Sequence, residues 1–271
     1  MRRDTLLLFL RKELSDLRSN RQVWPAYLLL PLVAMLLPLL LLVLLPVLLQ
    51  QAQTGADAAA SMLLETVARD TSLRGTTLEE RMARLLMRDL TMFYLLMPVV
   101  LSASAAALAL VREKEQRTLE PILATPIRDR DLLLAKLVGA VVPSVLITWA
   151  AFIAGSLIVM AASWWTVDVI ILPTGGNLIG LLLLAPAMSA VAALLALRVS
   201  ARFTDVPGAM QFTGLVVVPV SLIVIVLLGR PAMIWPLAGV GGAMLLVGLA
   251  FGLFRMNVRK FAREELLTKW K

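Results

Sequence analysis

The sequence predicts an all-α integral membrane protein, with six transmembrane helices preceded by an amphipathic interfacial helix. Three observations carry that assignment. Of the 271 residues 60% are hydrophobic, and the mean hydropathy is +0.87. A soluble domain of this length could not hide so much apolar surface, so its solvent must be lipid. The apolar residues fall into six long runs, and the basic residues gather at the ends of those runs.

Residues 1–24 come first. Leu6, Leu10, Leu14 and Leu17 recur at helical spacing among Arg2, Arg3, Arg11, Lys12, Arg18 and Arg21. That pattern predicts a helix lying in the cytoplasmic interface with its basic face on lipid headgroups. Trp24 and Tyr27 mark the interface where the first span begins. The basic segment and the run Tyr27–Leu49 are both longer than in a cleavable signal, which argues for a retained span.

The membrane domain is expected over 25–254, with spans at 25–49, 93–111, 136–162, 177–197, 209–228 and 232–254. Each is close to or above the ~20 residues that cross ~30 Å of hydrocarbon at ~1.5 Å per residue. Prolines recur inside them (Pro31, Pro38, Pro46, Pro98, Pro143, Pro186, Pro219). Each frees a backbone carbonyl, which is tolerable where neighbouring helices cover it. With both termini cytoplasmic, the inside segments hold 20 of the 26 Lys and Arg residues. That bias fixes the orientation. The tail is 255–271, and 50–92 is the only sizeable outside region; Leu78, Met82, Leu85 and Leu86 predict a helix over 78–90 against the outer mouth.

Composition excludes several functions. The formal charge of +8 is spread over span ends, without a nucleic-acid-binding motif, so no nucleic acid partner is expected. Cysteine and histidine are both absent, which removes disulfides, thiolate chemistry, Cys/His metal sites and histidine-dependent catalysis. No P-loop spacing is present, and no Gly-Lys pair, so the chain does not bind ATP by that route. Ion-coupled carriers keep carboxylates inside the bilayer. Between Asp131 and Asp205 the only acidic residue is Asp168, in an outer loop.

The most informative segment is the charged island Glu113-Lys114-Glu115-Gln116-Arg117-Thr118-Leu119-Glu120-Pro121 between spans two and three. Thr118 is a plausible N-cap, Pro121 suits the first turn, and Pro126 ends a short helix whose apolar face is Leu119, Ile122 and Leu123. Either this is a structured knob on which a partner pushes, or a solvated loop obeying the charge rule.

Glu113-x-Glu115-x-Arg117-Thr118-Leu119-Glu120-Pro121-Ile122-Leu123-Ala124-Thr125-Pro126, followed by Leu133-Leu134-Ala135-Lys136, resembles the loop after the second span of ABC-2-type transporter permeases. Arg117 and Ala135 stand where that family commonly has glycine. The segment from Ser200 to Pro219 and the tail from Ala262 to Trp270 also resemble permeases of this kind; 50–92 matches least.

The resemblance implies a half-permease similar to type V ABC exporters, one half of a dimer with itself or a paralogue. Each half docks a cytoplasmic ATPase subunit that carries ATP and Mg, so this chain binds no cofactor and is no enzyme itself. It implies a coupling helix at 118–126 within a cytoplasmic loop 112–135, in a bacterial inner-membrane protein. Glu113, Glu115, Thr118, Glu120 and Arg128 would be polar contacts to the ATPase, and Leu119, Ile122 and Leu123 the apolar anchor. Spans two and five would line the substrate path through Tyr94, Met97, Ser102, Ser104, Phe212, Thr213 and Val217. Those uncharged faces suit a hydrophobic or amphipathic cargo, drug-like or lipid-like. An ion-coupled secondary carrier and a non-transporting membrane scaffold are the alternatives.

Overall fold

The computed structural model describes residues 15, 24–53, 78–115, 129–168, 170–229 and 235–260, and among them there is no strand. Six long helices follow one another: α1 (Trp24–Gln53), α2 (Leu78–Glu115), α3 (Asp129–Val167), α4 (Gly175–Ser200), α5 (Val206–Val224) and α6 (Pro236–Lys260). The expected apolar runs overlap these helices, with 232–234 outside the described residues. Five, α2 to α6, are long and apolar enough among the described residues to cross a bilayer, and α1 contributes the shorter apolar run Tyr27–Leu37. The interfacial helix predicted before residue 22 lies outside the described residues apart from Ser15, as do 54–77, 116–128 and the end of the tail.

α2 is the central column. Most residues of its apolar stretch are buried, whereas most of those of α5 and α6 are not. α2 packs most extensively on α4, then on α3, α5 and α1. Small residues make that approach possible: Ala103, Ala105 and Ala106 on α2 share a core with Ala185, Ala192, Ala193 and Ala196 on α4. In lipid, where apolar burial alone drives little association, close packing of small residues and hydrogen bonds between helices do that work. The Ser102 hydroxyl donates to the Ser189 carbonyl at 3.1 Å. Asn257 Nδ2 of α6 donates to the Leu194 carbonyl at 2.9 Å. Tyr94 of α2 donates to the Ala34 carbonyl of α1 at 2.8 Å. Outward faces carry Leu28, Leu32, Leu215, Ile223, Leu245 and Val247, all exposed as lipid contacts require.

The helix expected over 78–90 is present, but it is continuous with the second span, giving α2 38 residues. Neither Gly nor Pro interrupts Leu78 to Met97, and an i,i+4 pair between Arg84 and Glu80 at 2.6 Å supports the projecting turns. α4 is interrupted differently. Its turn Gly180–Leu184 is π-helical, directly before Pro186. Proline has no N–H to close the preceding turn, and the widened turn accommodates it. Trp149 of α3 donates its indole N–H to the Leu181 carbonyl there at 3.3 Å.

Candidate functional site

The C-terminal end of α2 is where the helices converge. Glu113 and Lys136, one from the end of α2 and one from the start of α3, form an ion pair at 2.7 Å, with side chains only 9% and 2% exposed. Lys136 Nζ also donates to the Ala109 carbonyl at 3.3 Å. Lys114 Nζ donates to the carbonyls of Ala201 (2.5 Å) and Phe203 (3.2 Å), just past the end of α4. Glu115 Oε1 accepts the backbone N–H of Val206 at 3.1 Å, at the start of α5.

The signs match the helix ends. A helix C-terminus presents unpaired carbonyls and a partial negative charge, and an N-terminus presents unpaired N–H groups and a partial positive charge. Lysine meets the former and glutamate the latter. Between the two ends, Asp205 caps α5 by accepting the Gly208 N–H at 2.7 Å, and its extended backbone leads into the Val206-Pro207 first turn. The ring of Phe203 stacks on Phe212, centroids 4.8 Å apart.

The structure thus turns Glu113 and Glu115 toward this chain itself. Glu113 is buried, while Glu115 remains exposed with one oxygen engaged. Thr118, Leu119, Glu120, Ile122, Leu123 and Arg128 lie outside the described residues. Sequence reasoning, which sought carboxylates in the middle of spans, passed over the Glu113–Lys136 pair at their ends. It also missed Lys114, whose partners are 87 and 89 residues away.

A second feature lies along α2 and α5. A cleft of about 50 Å³ is bordered by Val100, Ser104 and Ala107 from α2 and by Met210, Thr213 and Val217 from α5. Among the described residues no ionisable group lines it. The buried Thr213 hydroxyl has no hydrogen-bond partner among the described residues, whereas Ser144, Thr148 and Ser221 each donate to the carbonyl one turn back. A pocket for a drug-sized molecule measures roughly 300–1,000 Å³, so this cleft as it stands admits only a small group.

Of the residues expected on the path, Ser104, Thr213 and Val217 border the cleft. Tyr94, Met97 and Ser102 are in the core instead: Met97 is fully buried, Tyr94 packs edge-on against Phe152 at 5.4 Å, and Ser102 binds α4. Phe212 is half-exposed and stacked on Phe203. The helical repeat through Ser104, which also selects Val100 and Ala107, was the available signal.

A bundle of long apolar helices with polar ties between them is the architecture of a multi-pass membrane protein. Over residues 7–250 the chain matches the family profile described as ABC-2 family transporter protein. The chain belongs to that family and is a permease subunit of an ABC transporter. A comparison with curated proteins returns no match. Membership carries an ATP-binding partner and a dimeric permease as general features of the family.

Proposed function

We propose that this permease is half of the transmembrane pathway of an ATP-driven exporter in the bacterial inner membrane, with both termini cytoplasmic. Its engine is a separate ATPase chain that holds ATP and Mg and seats on the loop 112–135 through a short helix at 118–126. The cargo is a hydrophobic or amphipathic compound. The observation that carries this reading is the convergence at residues 113–115, where α2 enters the loop already tied to α3, α4 and α5. A push on that loop therefore reaches four spans at once. The uncharged α2–α5 cleft supports the cargo class, and its small volume supports a path completed by a second permease or opened by motion.

The test is co-purification of the ATPase with wild-type chain and with Leu119→Asp plus Leu123→Asp. Wild type carrying the ATPase, and an inserted double mutant lacking it, is the expected result. Retention by the double mutant removes 118–126 as the seat. Failure of any ATPase to bind wild type returns the carrier or scaffold reading.

A further inference from the structure

We infer that Lys114 and the backbone N–H of Val206 are positioning groups, through which movement of the loop after α2 is passed to the cleft-lining helix α5. The inference rests on the coupling loop proposed above and goes beyond it, since it names where in the bundle the movement goes.

The two ties have a geometry suited to transmission. Lys114 holds two carbonyls of the α4–α5 turn, those of Ala201 and Phe203, and Glu115 holds the first N–H after it. The turn between them is short and internally bonded: Arg202 N–H donates to the Val199 carbonyl at 3.1 Å, and Phe203 N–H to the Ser200 carbonyl at 3.1 Å. It is therefore gripped on both sides by adjacent residues of one helix end. Behind it, Val206 and Ala209 pack with Leu108 and Val111 of α2 in a small apolar cluster. One turn further along, α5 presents Met210 and Thr213 to the cleft. Displacement at residues 114–115 must carry the start of α5 with it or break charge-assisted hydrogen bonds, which are about twice as strong as neutral ones. Transmission of this kind needs a rigid contact with a defined seat.

The chain's lack of cysteine supplies the reporter. Gly214 borders the cleft, and a Cβ built there meets nothing within 4 Å, so Gly214→Cys places a thiol at the border of the cleft with room for its Cβ. In vesicles holding this permease with its co-purified ATPase, the maleimide-labelling rate is measured with and without a non-hydrolysable ATP analogue. Lys114→Met removes both carbonyl bonds. Val206→Pro removes the N–H that Glu115 accepts, at a first-turn position that tolerates proline, after an Asp205 already extended.

With labelling compared at equal amounts of bound ATPase, the nucleotide-dependent difference is expected to fall about tenfold in each variant. Lys114→Arg, which keeps the donors, is expected to restore it; a purely structural role for Lys114 would leave the nucleotide response of the folded variants intact. An undiminished response in both variants overturns the inference. So does a parent with ATPase bound whose labelling ignores nucleotide. If one variant fails to insert, the other decides. If the parent binds no ATPase, the exporter proposal itself fails, a distinct result.

Discussion

Lys136→Met tests the energetics of the helix junction directly. The substitution keeps most of the length of the side chain and removes the ammonium that stands 2.7 Å from the Glu113 carboxylate. Both side chains are more than nine-tenths buried, so solvent cannot replace the lost interaction. Breaking a buried ion pair by removing one partner costs about 3–5 kcal/mol, whereas replacing both partners with apolar groups of similar volume is close to neutral. The expected cost of Lys136→Met is therefore about 3–5 kcal/mol, and Glu113→Leu combined with Lys136→Met is expected to recover most of it. Unfolding of the detergent-solubilised permease, followed by heat or by denaturing detergent across the four members of the cycle, measures both quantities. A single mutant costing under about 1 kcal/mol refutes the reasoning, because the pair would then behave as a solvated surface pair. A double mutant as unstable as the two singles added together refutes it as well, since no coupling would remain.

Three further outcomes follow from other contacts. A methyl added at Gly155 meets the Tyr94 hydroxyl, which is fixed by its bond to Ala34; Gly155→Ala is expected to destabilise by about 1–3 kcal/mol, and Tyr94→Phe in the same chain to relieve part of that loss in a melting experiment. Asp205→Ala removes the α5 cap and is expected to cost about 1 kcal/mol, with Asp205→Asn close to wild type in the same assay. Because the chain has no cysteine, Trp165→Cys and Arg202→Cys report orientation cleanly. An impermeant thiol reagent added to intact cells is expected to label only the former, and labelling of the latter would reverse the assigned topology.

The five spans of α2 to α6 were legible because lipid imposes a length on apolar helices. Their ends were legible from Lys and Arg. Continuity of α2 beyond the membrane was half legible: Leu78, Met82, Leu85 and Leu86 gave the helix, but nothing local says that it runs unbroken into the span. The junction was the least legible part. That Glu115 binds the N–H of Val206, 91 residues away, depends on which helix ends the packing brings together. A charge pattern specifies what a residue can bind, and only the fold decides what it meets. For the same reason Tyr94 and Ser102, polar groups in an apolar span, read as path residues when their hydroxyls are committed to the carbonyls of Ala34 and Ser189.

The position of α2 at the centre has a consequence for how the chain is made. α2 is synthesised second, yet its most extensive partner, α4, starts at Gly175. Helices of this kind enter the bilayer one by one and associate afterwards. Until α4 emerges, the alanine flank of α2 faces lipid and the Ser102 hydroxyl lacks the carbonyl it binds in the finished bundle. Biogenesis therefore passes through a stage in which the most buried helix of the final protein is among the least covered. A nascent chain arrested before residue 185 should present that stage, and a membrane protease or chaperone would find its substrate in α2 rather than in the outer helices.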